Sequence, residues 1–183
     1  IFIILIFVVF QNNHLIRHYQ KFDLTKKKEN VSIFKNFQDT QWGAHYLTAL
    51  EISKQNLILG SGLGTFRYIC SDKAYENIKS KFSEARCSTH PHNIYLEILS
   101  EAGILIFLLF LYLNALIFFY LLKKIITEKR LNNVLIFCAY VILFNPIQTT
   151  GSFFSTWNGI FYWLLIGLIV YQLDFFKIAK KNG

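Results

Sequence analysis

Methionine is absent from the 183 residues, proline occurs twice and cysteine three times, and Asp, Glu, Lys and Arg together make up only 16% of the chain. Three cysteines are too few for a disulfide scaffold, and none stands in a close Cys pair of the kind that holds structural zinc. No Asp-x-Asp pair occurs, so there is no evident metal-dependent site for a nucleotide sugar. So little charge beside 54% apolar residues argues against a water-soluble single domain. With no methionine and an opening run, residues 1–10, that is already apolar, neither a start residue nor a signal-peptide architecture is recognisable. The expectation is the C-terminal piece of a longer protein.

Nineteen Lys and Arg against 11 Asp and Glu give a net charge of +8. Placed relative to the apolar runs, that excess points to a membrane rather than to nucleic acid. Residues 104–122 carry no charge, with Asn114 as the strongest polar interruption. At about 1.5 Å per residue this run crosses roughly 28 Å of hydrocarbon, and it is apolar all round where a soluble core helix would keep a polar stripe. Two further runs, 134–148 and 159–176, read as spans joined by a tight turn over 149–158, where Pro146 and Gly151 punctuate a helix end. The short connection 123–133 holds Lys123, Lys124, Lys129 and Arg130 against Glu128 alone, as a cytoplasmic loop does. The fold class expected is therefore all-α: a polytopic membrane fragment with a large, partly helical periplasmic loop. Residues 1–10 end one span, 11–103 form the periplasmic loop, and 177–183, with Lys177, Lys180 and Lys181, form a cytoplasmic tail.

Within the outer loop, residues 40–59 read as an amphipathic helix with Tyr46, Ala49, Leu50 and Leu57 on one face. A short helix follows further on, with Tyr95, Ile98, Leu99 and Ala102 as its apolar stripe, and Glu97, Ser100 and Glu101 off it. Pro91 suits its first turn, and Gly103 separates it from the span. Cys70 and Cys87 flank a Lys-rich insert in a compartment that permits oxidation, so a disulfide is expected there, two free thiols being the alternative. Cys138, in an apolar run, is expected to stay a thiol.

The densest polar group is Arg86-Cys87-Ser88-Thr89-His90-Pro91-His92-Asn93, directly before an apolar helix. A histidine there can accept a proton near neutral pH, as an acceptor hydroxyl needs before it attacks an activated sugar. Equally, His90 and His92 can cap the helix and bond loop carbonyls. His-x-His lacks third and fourth metal ligands nearby, and no metal site is assigned. The segment Gly60-Ser61-Gly62-Leu63-Gly64-Thr65-Phe66-Arg67 offers flexible amides beside a cation, a combination that can cradle a diphosphate or simply make a sharp turn. Thr65 stands where a dinucleotide fingerprint has Gly, and no βαβ unit surrounds it. Arg67 and Arg86 can bind phosphate bidentately or be solvated.

His92-Asn93, the nine residues 94–102 and Gly103 match a pattern of His, then Asn, Ser or Gln, then nine residues and Gly, and residues 59–66 look like a Gly-x-Gly…Phe element. With three spans after a large outer loop, the chain resembles the O-antigen ligase and O-antigen polymerase-like membrane proteins, a group that also contains protein O-oligosaccharyltransferases. The resemblance covers most of residues 40–176. Two features depart from it. Ile106 stands where the family often has Gly or Thr, and an arginine commonly preceding the amphipathic helix is replaced by the neighbourhood of Gln41, Trp42 and His45.

The resemblance implies metal-independent, inverting transfer of a glycan from an undecaprenyl-diphosphate carrier, at the periplasmic face of a bacterial inner membrane, with no cofactor. His92 would assist the acceptor, and Arg67 or Arg86 would offset charge on the departing diphosphate. His45, His90, Asn93, Gly60 and Gly62 would line the substrate site. The acceptor implied is lipid A-core, another glycan or a protein. Two readings of other classes stand beside it: a transporter fragment, against which the lack of ionisable residues in 104–122, 134–147 and 159–173 counts, and a non-catalytic membrane scaffold.

Overall fold

The computed structural model describes residues 33–172. Expectations for the opening span, the first part of the outer loop, the end of the third apolar run and the basic tail lie outside the described residues. Residues 34–172 belong to one compact unit. Among the described residues all regular structure is helical: α1 (Ile33–Gln38), α2 (Gln41–Gln55), the single turn α3 (Phe66–Ile69), 3-10 turns at Lys73–Tyr75 and Ser83–Ala85, then α4 (Ile94–Glu128), α5 (Leu131–Leu143) and α6 (Thr156–Gln172).

α2 begins where the Thr40 hydroxyl accepts the Gly43 amide at 3.0 Å. Gly43 is needed because a Cβ there would meet the Phe37 carbonyl at 2.2 Å, so α1 and α2 pack backbone to backbone. The buried face of α2 is Ala44, His45, Thr48, Ala49, Ile52 and Ser53, set against α4. This corrects the expected face of Tyr46, Ala49, Leu50 and Leu57: Ala49 is buried, but Leu50 is 37% and Leu57 50% exposed. Small side chains let two helices approach closely, and Leu57 lies beyond the end of the helix.

The first turns of α4 invert the expected stripe as well. Ile98 is buried, yet Glu97 and Glu101, each 1% exposed, and Ser100 are buried with it. Carboxylates tolerate this because backbone amides from distant loops bond to them. Pro91 is not in the first turn of α4. It is buried two residues before the cap, because the helix starts at Ile94, where the Asn93 carboxamide accepts the amides of Tyr95 and Leu96 at 3.0 and 3.1 Å.

At Gly103 the helix breaks, with φ 81° and ψ 176°. Ile104 N donates to Leu57 O at 2.7 Å instead of to its own preceding turn, while Ser100 O and Glu101 O accept the amides of Ser61 and Gly62, both at 2.9 Å. The glycine-rich loop thus replaces the helical bonds lost at the kink. Only glycine fits on either side of this crossing: a Cβ on Gly103 would come 2.3 Å from Ile58 O, and one on Gly60 2.3 Å from Glu101 O.

Past the kink α4 continues to Glu128, beyond the end of its apolar run, and only Lys129 and Arg130 separate it from α5. Lys129 makes that turn in a left-handed conformation with φ 48°. Leu121, Tyr140, Phe144, Tyr162, Leu165 and Ile169 pack α4, α5 and α6 together. Asn114, the one polar break in the run, has a partner: the Tyr140 hydroxyl donates to it, 2.8 Å from both its backbone and side-chain oxygens. Among the described residues α4 is the helix long and apolar enough to cross a membrane, while α5 and α6 are shorter apolar helices of 13 and 17 residues.

Candidate active site

The site is built around the residue before the α4 cap. His92 adopts φ 59°, a left-handed conformation that costs a non-glycine residue energy and needs outside support. The turn between α5 and α6 supplies it. Thr150 N donates to His92 O at 2.8 Å, the Thr150 hydroxyl accepts Ile94 N at 3.1 Å, and Thr150 O lies 3.2 Å from His90 Nε2. One residue pair further along, Glu97 accepts the Phe153 amide at 2.7 Å and a short bond from the Ser152 hydroxyl. Asn93 adds a tether from its Nδ2 to Pro146 O at 2.8 Å. The α5–α6 turn therefore grips the head of α4, and these two segments share one end of the apolar helices.

Three imidazoles gather here. His92 stacks on His45 with centroids 5.2 Å apart, lies 4.2 Å from His90, and meets the edge of Trp42 at 4.6 Å. His92 Nε2 is 3.0 Å from the Ser88 hydroxyl. His45 is fully buried, and neither ring nitrogen has a hydrogen bond of ordinary geometry. Burial, and then the neighbouring imidazoles His90 and His45, push His92 down to about 4. Burial lowers His45 and His90 as well. All three are thus neutral at physiological pH, and His92 is available as a proton acceptor. The rings face one another rather than a common point, and among the described residues no group of three or more His, Cys, Asp or Glu is arranged to hold a metal ion.

The two arginines part company. Arg86 is spent on the loop: Nε donates to Cys70 O at 2.9 Å, Nη2 to Ser71 O at 3.1 Å and Nη1 to Ser83 O at 3.3 Å. Cys70 and Cys87 are joined as a disulfide, their Cα atoms 5.3 Å apart, and Cys138 is a free thiol. Arg67 is exposed, and its guanidinium makes no hydrogen bond or ion pair among the described residues. Burial raises the carboxyls of Glu97 and Glu101 and lowers His90, and the Arg67 charge is felt at all three, opposing the shift of the carboxyls and adding a little to that of the imidazole.

The amides of the glycine turn are already engaged. Gly60 N donates to Asn56 O, Gly62 N to Glu101 O, and Gly64 N and Phe66 N to the Glu101 carboxylate at 2.6 and 3.0 Å. Gly60 and Gly62 thus make the turn and the crossing over Gly103, with their amides turned inward. Asn93, 3% exposed, is likewise a cap and tether. Sequence reasoning missed Glu97 and Glu101; their spacing of four on a helix next to the His-Asn pair was the available signal. Beside the cap lies a cleft of about 290 Å³ lined by Phe37, Tyr46, Leu47, Leu50, Tyr95 and Leu96, with Asn93 and Pro146 at its edge.

Among the described residues, fold and site together define an all-helical arrangement with one helix of membrane-crossing length and a histidine-centred polar site at its head. The O-antigen ligase family model matches residues 1–111, more than half of the chain, and the chain belongs to that family. The match takes in the glycine turn, the histidine segment and the first part of α4, and stops short of the residue 176 to which the resemblance was traced. No curated protein and no solved structure matches the chain. The family is membrane-associated and of glycosyltransferase-like enzymes that join lipid-linked glycans to acceptors.

Proposed function

We propose that this chain carries the periplasmic active site of an inner-membrane, multi-pass O-antigen ligase-like glycosyltransferase that moves a glycan from an undecaprenyl-diphosphate carrier to an acceptor hydroxyl. The observation that carries the reading is the neutral, left-handed His92, fixed between Trp42, His45 and Thr150 at the head of a membrane-length helix. In the step, the acceptor oxygen bonds to the anomeric carbon as the carbon–oxygen bond to the diphosphate breaks, with inversion. His92 takes the hydroxyl proton, and undecaprenyl diphosphate leaves with the electron pair. The Ser88 hydroxyl lies 3.0 Å from Nε2, so the acceptor hydroxyl takes its place when it reaches that nitrogen.

Arg67 supplies the cation for the diphosphate; Arg86, bonded to three carbonyls, holds the loop instead. The apolar cleft beside Asn93 suits part of the isoprenoid chain, and no metal takes part in the step. Lipid A-core is the acceptor that the ligase reading names; a glycan chain end or a protein hydroxyl would make the same chemistry that of a polymerase or a protein O-oligosaccharyltransferase.

The test is complementation with the complete gene in ligase-deficient and polymerase-deficient cells. Return of lipid A-core-linked O-antigen supports the ligase reading, and return of lengthened, carrier-linked chains would move the assignment to polymerase. A wild-type gene that restores neither product and glycosylates no protein would overturn the reading.

A further inference from the structure

α3 is a single turn, and its own cap residue, Thr65, makes no side-chain capping bond. The cap comes instead from a residue 35 positions away. The Glu101 carboxylate takes Gly64 N on Oε2 at 2.6 Å and Phe66 N on Oε1 at 3.0 Å, so both oxygens are committed to the backbone on either side of Thr65. Phe66 is then pinned from two sides, by its amide on Glu101 and by its fully buried ring against Ala49, Ile52, Cys70 and Tyr75. Arg67 is the next residue, and its guanidinium is left exposed with its field on His90, Glu97 and Glu101. Ser61 reinforces the same loop, with its hydroxyl 2.8 Å from that of Thr65 and 3.0 Å from Ser100 O.

From this geometry we infer that Glu101 is a positioning residue for donor binding: its carboxylate, through the amides of Gly64 and Phe66, fixes the helical turn from which Arg67 meets the diphosphate. The inference rests on the proposed role of Arg67. A buried carboxylate is suited to the task because both oxygens accept, and bonds from an N–H to a charged acceptor are the stronger ones. A glutamine in its place keeps the volume but turns an NH2 group toward one of the two amides, which leaves a donor facing a donor. The loop then loses one of its two holds, and the guanidinium loses its fixed origin.

The experiment uses the full-length protein in membranes, with an undecaprenyl-diphosphate-linked glycan as donor and kcat and KM measured separately for donor and acceptor. Glu101→Gln should raise the donor KM about tenfold, leaving kcat and the acceptor KM within about twofold. Arg67→Ala should raise the donor KM at least as far. The double variant should match Arg67→Ala alone, because Glu101 acts through Arg67. Glu101→Asp, which keeps both oxygens, should recover part of the loss, and Ser61→Ala should raise the donor KM by about two- to threefold. The last two variants read the same parameter if Glu101→Gln fails to accumulate.

A lowered kcat with unchanged donor KM, or effects of Glu101→Gln and Arg67→Ala that simply multiply in the double variant, would overturn the positioning role. Arg67→Ala with a normal donor KM would remove the proposed diphosphate role of Arg67 and this inference with it. Arg67→Ala with a raised KM but no effect of the Glu101 and Ser61 variants removes only the inference.

Discussion

Before Gly103, α4 buries Glu97, Ser100 and Glu101 and turns every one of them to a hydrogen-bond partner; after it, the same helix leaves Leu105 and Tyr112 each 61% exposed, along with Leu108 and Leu109. The first half has polar groups inside because loops from residues 57–66 and 150–153 bring their amides to it. The second half has apolar groups outside, and the strongest polar residue of its uncharged run, Asn114, is bonded by Tyr140. A segment that satisfies its polar groups inward and shows leucine outward is what a hydrocarbon surrounding requires, whereas the head is held by bonds to chain distant in sequence.

If the head is the reactive half, the largest effect belongs to its histidine. His92→Asn keeps a side chain that accepts the left-handed backbone, so the loop should fold, while transfer of glycan in membranes falls by about 10²-fold or more. His90→Ala, measured beside it, should cost much less, and the reverse order would move the proton acceptor to His90. The joint between the halves comes next. Gly103→Ala would place a Cβ 2.3 Å from Ile58 O at φ 81°, so it should destabilise the folded protein by about 2–3 kcal/mol, read from thermal unfolding of the detergent-purified chain.

Acidity separates the head from the rest through two opposing slopes. His92 titrates at about 4 in the folded protein against an ordinary 6.5, so the unfolded chain takes its proton first, and stability should drop as pH falls from about 6.5 to about 4. Burial raises Glu97 to about 7 from 4.5, so the folded form holds its proton longer, and this group's contribution is lost as pH rises from about 4.5 through about 7. Unfolding temperature followed across pH 4–8 should show the second slope vanish in Glu97→Gln and the first shrink in His92→Asn. The smallest effect lies in the apolar half: Tyr140→Phe removes the bond to Asn114 and should cost about 0.6 kcal/mol with activity unchanged. A much larger cost there would mean that the stem, too, depends on polar contacts.

Much of this arrangement is legible in the sequence. The run after Gly103 announced a long apolar helix, and the His92-Asn93…Gly103 spacing pointed to the family, because both are written in consecutive residues. The faces of the helices were not. Counting apolar positions put Tyr95, Leu99 and Leu50 inward, but the head is packed by Glu97, Glu101, His45 and Thr48, whose burial depends on amides and rings that other segments deliver. Nor did sequence distinguish Arg67 from Arg86. Both are single cations near glycine or cysteine, and only the carbonyls of Cys70, Ser71 and Ser83 around Arg86 show which of them is occupied.

The sequence by itself determined the apolar length of α4, the glycines at 60 and 103 and the histidine pair, since hydropathy, backbone freedom and side-chain chemistry belong to individual residues or short runs. The tertiary structure alone decided that Gly60 and Gly103 meet, that Thr150 holds His92 in its left-handed turn, and that Glu101 caps the helical turn bearing Arg67. Each of those is a hydrogen bond or close approach between residues 35 to 58 positions apart, and such pairings exist only once the loops have closed.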